Sequence, residues 1–274
     1  IREKNAGWIT VSNQGIEISS GEYVIFANCD DDCEPQMIER LVDSINCNPT
    51  AGIAFCRSLM VDESDRVLGD DFEIRERSFR SMCANDTFIH RNAMTRFLLY
   101  SCVIPNLSAA LIRRDCFDVA GFLSSKYKAC SDWDLFFRIA ENFDFSYVAK
   151  PLNKFRQHSQ TIRSATKGRI EYDEFFSVLL GEIPRSGLSL KERIRFRNHV
   201  MYLWAMELLR PSFSGWKNFP HHLKSVWRLD YLALPLLPFA IIIRLIEIPS
   251  KLVNKLQRMW HDKTHQKAEA GNDA

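Results

Sequence analysis

The feature that most constrains the fold is an apolar run that ends abruptly in acid. Tyr23-Val24-Ile25-Phe26 is followed almost at once by Asn28-Cys29-Asp30-Asp31-Asp32. Four consecutive apolar residues without alternation predict a strand buried on both faces, as in a mostly parallel sheet covered by helices. Such sheets bind ligands outside the carboxyl ends of their strands, where these aspartates fall. A carboxylate there can hold a divalent cation that neutralises a diphosphate. Read alone, the aspartates are equally a solvated loop, with Asp32 as the N-cap of a helix entered through Pro35.

The rest of the N-terminal part alternates strands and helices. Ser12 or Asn13 is expected to cap a first helix. Met37, Leu41, Val42 and Ile45 recur at helical spacing, and GIAFCRSLMV reads as a second strand. Residues 62–80 form a polar excursion, and Thr87 to Leu99 suits a helix. CVIPNLSAALIRR reads as a strand broken at Pro105-Asn106. Asp115 to Gly121 suits a short capped helix, and CSDWDLFFRIAENF a longer one, with Ser131 and Asp134 at capping-box spacing. FSYVAKPLNKFRQH is the last strand-like stretch. Past about residue 166 the pattern becomes helical, with a second capping-box pair at Ser189 and Glu192. The expected organisation is an α/β domain over 1–165 and a mainly helical region over 166–274.

The apolar stretch Tyr231 to Ile243 is shorter than the about 20 residues of a membrane-spanning helix. It suits a buried or re-entrant hairpin, or a membrane surface, since Arg244, Lys251, Lys255 and Arg258 follow. The 36 basic and 34 acidic residues give a net charge of +2, with no nucleic-acid signature. The 8 cysteines include no CxxC pair, which argues against zinc and for reduced thiols in a cytosolic compartment. The opening IREKNAGW has no initiator Met, so a piece of a longer protein is expected.

The wider text NAGWITVSNQGIEISSGEYVIFANCDDDCEP resembles glycosyltransferase family 2, whose members carry a segment like N-x-G-x-x-x-A-R-N-x-G-I-x-x-A-x-G-E-Y-I-x-F-L-D-S-D-D-x-x-x-P. Asn5, Gly7, Asn13, Gly15, Ile16, Gly21, Glu22, Tyr23, Phe26, Asp30, Asp31 and Pro35 fall into register. The resemblance implies the GT-A fold, with a Rossmann-like mostly parallel sheet. It implies inverting transfer from a nucleotide-diphosphate sugar to a glycan or lipid-linked acceptor, in surface polysaccharide synthesis at the cytoplasmic face of a membrane. The family's opening strand, like V-S-V-I-I-P-x-Y-N, is absent.

The family's DxD motif then falls on Asn28-Cys29-Asp30. This implies Asp30 as ligand of Mn2+ or Mg2+, with Asn28 and Asp31 at the donor; a shifted Asp30/Asp32 pair is the alternative. Asn28 brings no negative charge. Ser131-Asp132-Trp133-Asp134-Leu135-Phe136-Phe137-Arg138 resembles the family's E-D-W-D-L-x-x-R, which puts the catalytic base on Asp132 and Trp133 near the acceptor or sugar. Asn106 and Ser108, before Arg113-Arg114, are expected in the same pocket. Phe155-Arg156-Gln157-His158 resembles Y-R-x-H-x-x-S, which sets His158 on the metal and Arg156 at the diphosphate, with Arg163 a weaker phosphate candidate. Two rivals remain: a carbohydrate-binding or scaffold domain on this fold, and a phosphoryl-transfer enzyme, which lacks a Walker-type loop.

Overall fold

A computed structural model describes residues 6–158, 169–210 and 214–247, so Arg163 lies outside the described residues. The chain divides into two compact units, Ile1–Gly187 and Leu188–Ala274. The change of pattern near residue 166 falls within the undescribed stretch.

The first unit is a seven-stranded sheet flanked by helices. Its elements are α1 (Trp8–Ile18), β1 (Tyr23–Ile25), β2 (Asp32–Cys33), α2 (Met37–Asn46), β3 (Ala51–Val61), β4 (Val67–Asp70), α3 (Arg77–Met82), β5 (Thr87–Ile89), α4 (Arg91–Tyr100), β6 (Ala110–Arg113), α5 (Asp115–Ala120), α6 (Ser131–Ala140), β7 (Asp144–Arg156) and α7 (Arg169–Glu182). The α/β class therefore holds.

The strand order is β1-β6-β3-β7-β2, with β4 beside β3 and β5 beside β7. Strand direction corrects the expectation of a mostly parallel sheet. Only β3 and β7 pair in parallel, while β6 runs against both β1 and β3, and β2, β4 and β5 run against their neighbours. A continuous apolar run reports burial on two faces, and burial does not fix direction. β1, β3 and β7 nevertheless run the same way, so their carboxyl ends share one edge of the sheet.

Both faces are filled. β3 alternates, with Ala54 and Cys56 turned to Met37, Leu41 and Ile45 of α2. On the opposite face the Phe55 ring lies 5.1 Å from Tyr147, and Phe79 of α3 lies 5.5 Å from Tyr147 and 5.2 Å from Phe97 of α4. Gly52 permits a close approach: a Cβ there would lie 2.5 Å from Cys116 Sγ and 2.7 Å from Phe143 Cβ.

Several local expectations change. α1 starts at Gly7, whose φ of 80° suits glycine, and Ser12 and Asn13 lie inside the helix. Asn13 is held instead by Leu123, donating from Nδ2 to its carbonyl at 2.9 Å and accepting its N–H at 3.0 Å. Residues 87–89 form β5 and only then does α4 begin. Residues 102–106 precede β6 without joining it. Ser131 does not cap α6: Cys130 is the N-cap residue, and Asp134 pairs with Arg138 at 2.9 Å.

In the second unit, α8 (Leu190–Leu208) begins with the expected Ser189/Glu192 capping box. A 3-10 turn at Ser214–Asn218 leads into α9 (Phe219–Asp230), a 3-10 segment Tyr231–Leu236 and a helix over 237–247. By length and composition alone the helical stretch Gly215–Glu247 could cross a membrane, but it is not straight: Asp230 leaves the helical conformation at φ −160° and ψ 85°, and Phe219 meets Trp204 while Glu247 reaches Tyr202, two residues away on α8. The chain folds back near Asp230, at the start of the apolar stretch, which accords with the hairpin reading, and Pro235 lies inside the 3-10 segment that follows.

Candidate active site

The acidic loop joins β1 to β2 at the edge where β3 and β7 end. β2 lies against β7, with Asp32 opposite Lys154, and β7 runs on beside β3 as far as the Val61↔Arg156 pair. Asp30, Asp31, Arg156 and His158 are therefore brought together by strand pairing. The Nε2 of His158 lies 3.0 Å from Oδ2 of Asp30.

The three aspartates diverge. Asp30 turns to His158. Asp31 turns inward: Oδ2 accepts from Asn106 Nδ2 at 2.6 Å, Ser108 Oγ at 2.7 Å and Asn28 Nδ2 at 3.0 Å, and Oδ1 accepts the Arg156 N–H at 3.0 Å. Asp32 turns away and pairs with Lys154 Nζ at 2.9 Å. It lies in β2 and caps nothing, since α2 begins five residues later with Gln36 at its N-cap. The Lys154 ammonium, then the Cys33 N–H, hold the Asp32 carboxyl below its usual range.

Behind Asp31 runs a buried polar chain that sequence reading missed. Asn153 donates from Nδ2 to Asn106 Oδ1 at 3.1 Å and to Ser58 Oγ at 2.8 Å. The Ser58 N–H donates to Asp71 Oδ1, and Asp71 pairs with Arg75 at 2.9 Å. Polar residues at inward positions of the apolar strands β3 and β7 were the available signal, because a buried polar group needs partners.

Arg156 is engaged locally. Its guanidinium donates to the Asp30 carbonyl at 2.8 Å, the Asp62 carbonyl at 2.7 Å and Asp65 Oδ1 at 2.6 Å. It thereby pins the acidic loop to the turn after β3, where Asp65 adopts a left-handed φ of 61°.

Asp132 is half-buried in the first turn of α6, where the helix dipole favours a carboxylate. Its Oδ1 accepts the Trp133 N–H at 2.8 Å. Trp133 is buried and donates from its indole to the Leu98 carbonyl at 3.1 Å. The loop entering α6 is held by buried Glu174 of α7. That carboxylate accepts the N–H groups of Lys128 at 2.7 Å, Ala129 at 2.8 Å and Cys130 at 3.1 Å. Nothing in the local text around Glu174 marks this contact.

Among the described residues, no three His, Cys, Asp or Glu side chains gather as a metal cage. Asp30 and His158 still fit a divalent ion of the Mg2+ or Mn2+ kind, which takes few protein ligands and completes its shell with phosphate oxygens and water.

A family model described as "Glycosyltransferase like family 2" matches residues 3–194. No curated protein matches the sequence. Among solved structures, S. aureus TarS 1-349 in complex with UDP-GlcNAc is similar with a TM-score of 0.58 at 12% identity, covering 88% of this chain and 71% of that one. S. aureus TarS is similar with a TM-score of 0.55 at 15% identity, and 88% of this chain covers 41% of it. At these identities the likeness establishes a shared fold.

Proposed function

The chain belongs to the glycosyltransferase-like family 2, and from that premise we propose that it moves a sugar from a nucleotide-diphosphate sugar to a glycan or lipid-linked acceptor, with inversion, in surface polysaccharide synthesis. The observation that carries this reading is the Asp30–His158 contact at the edge where co-directional β1, β3 and β7 end, with a separate carboxylate, Asp132, at the start of α6. A uridine-diphosphate sugar is the donor class bound in the similar TarS structure.

Each group then has one task. Asp30 and His158 would hold Mn2+ or Mg2+, which when bound offsets the charge gathering on the leaving diphosphate. Asp132 takes the proton of the acceptor hydroxyl as its oxygen bonds to the anomeric carbon and the bond from that carbon to the diphosphate oxygen breaks. Asp31 anchors the loop from within: its oxygens already accept four hydrogen bonds, which supports an anchoring role over direct donor contact. Asn106, Ser108 and Arg156 belong to the same anchorage, and Trp133 fixes α6 against Leu98.

Asn28 favours a second reading, a carbohydrate-binding or scaffold domain without turnover, because its amide brings no charge and is bonded to Asp31. A donor screen with Mn2+ on the full chain, reading released nucleotide and product mass, separates the two. Glycoside product supports transfer; donor binding without product supports the second reading.

A further inference from the structure

The helical run after α8 has two unlike faces. On one side Val226, Asp230, Ala233, Leu237 and Ala240 are buried. That side is fastened within the second unit, where Arg197 Nε of α8 meets Asp230 Oδ2 at 2.6 Å and the Trp204 ring stacks on Phe219 at 5.4 Å. On the other side Leu223, Trp227, Tyr231, Phe239, Ile242 and Ile246 stand in solvent. Leu223 and Trp227, four residues apart in α9, share one helix face, and the Trp227 and Tyr231 rings lie 6.0 Å apart. Trp227 and Phe239 are each 65% exposed and Ile246 is 70% exposed, more large apolar surface than a short segment leaves in water without a partner.

Charge indicates what covers it. Between Gly215 and Ile246 the sole acidic residue is Asp230, which is buried and paired with Arg197. Lys217, Lys224 and Arg228 of the same run are exposed. Glu247, which pairs with Arg244, comes next in sequence, and Lys251, Lys255 and Arg258 follow it before the next acidic residue, Asp262. An exposed apolar stripe with a basic border and aromatic side chains matches an anionic lipid surface.

The same packing argues against a span. The buried side of the run rests on α8, which carries Lys191, Glu192, Arg193 and Arg195. Crossing a bilayer would either strip away that contact or carry charged residues into hydrocarbon. We propose that the apolar side chains exposed between Leu223 and Ile246 dock this protein in the plane of an anionic lipid surface. The inference does not rest on glycosyl transfer, since docking is measured without donor or acceptor.

The test is co-sedimentation of the full chain with vesicles of phosphatidylcholine alone and of phosphatidylcholine mixed with phosphatidylglycerol. Binding is expected to the mixed vesicles and to weaken with salt. The double variant Trp227→Ser/Phe239→Ser, exposed at both sites, should lose at least about tenfold in binding. Lys224→Gln and Arg228→Gln should each lose roughly fivefold, on the mixed vesicles only. Matching thermal melts establish that the variants fold. Absence of binding to either vesicle, or unchanged binding by the double variant, overturns the proposal. So does a lipid-free dimer that the double variant abolishes, which makes the stripe a face between copies. Membrane-bound protein that resists alkaline carbonate makes the run a span and overturns docking in the plane.

Discussion

Asp30 Oδ2 and His158 Nε2 stand 3.0 Å apart although 128 residues separate them in the chain. Neither residue belongs to a regular element: Asp30 lies in the loop between β1 and β2 and His158 just past β7, and the strand pairing brings them together. Asp30→Asn and His158→Ala should each lower transfer by about two orders of magnitude, the scale of losing one group that stabilises developing charge. Titrating Mn2+ against donor binding in each variant checks the assignment. Wild-type metal dependence in both would remove the pair from the site.

Asp132→Asn should lower kcat by about 10²- to 10⁴-fold, the usual worth of a general base, and leave metal-dependent donor binding as it was. Glu174→Ala should weaken the same step less, by freeing the loop at Lys128–Cys130 that sets the start of α6. Steady-state kinetics with donor and acceptor varied separately distinguish the two. A Glu174 variant whose KM for donor rises while kcat holds would contradict this division of roles.

The adjacent aspartates should differ sharply in stability. Asp31→Ala strands the amide of Asn106 and the hydroxyl of Ser108, both buried, and is expected to cost about 2–4 kcal/mol in urea unfolding. Asp32→Ala removes an exposed pair with Lys154 and should change stability by less than about 1 kcal/mol. Equal effects of the two substitutions would contradict the inward anchoring of Asp31.

The thiols should divide by burial. Cys29, Cys33 and Cys47 are exposed, whereas Cys56, Cys83, Cys116 and Cys130 are buried, the first three of these with their pKa values pushed up to about 12 by desolvation. The thiolate is the nucleophile, so alkylation near neutral pH is expected at the exposed group alone. The buried thiols should stay silent until denaturant is added. Peptide mass spectrometry reads this site by site, and rapid native labelling of Cys83 would refute it.

Gly52→Ala should destabilise by about 1–3 kcal/mol, because the new methyl would overlap Cys116 and Phe143. Thermal or urea unfolding measures it, and an unchanged midpoint would mean that the backbone yields there.

Burial and helix periodicity were legible in the residues because both are local. Met37, Leu41 and Ile45 point to the face that α2 buries, and Ser189/Glu192 marks the start of α8. The start of α1 was not legible: Gly7 caps it without a side chain, while Asn13 answers to Leu123, 110 residues away. Strand direction escaped for the same reason, since an apolar run is equally buried beside either kind of neighbour. The surroundings of the acidic loop suggested a register for it, but not the opposite facing of Asp30, Asp31 and Asp32. That depends on Asn106, Lys154, Arg156 and His158, which only the folded sheet brings near.

The parallel β3–β7 pair also sets an order of events during synthesis. The Arg156 N–H that fixes Asp31 belongs to a residue 125 positions further along the chain. A chain emerging from the ribosome holds β3, an 11-residue and mostly apolar strand, with one ladder unfilled until β7 follows. Long-range parallel pairing is slow to form and leaves an edge open to other chains meanwhile. Truncation before residue 144 should therefore yield an aggregating product with its acidic loop untethered, and the loop would acquire its shape among the last parts of this unit.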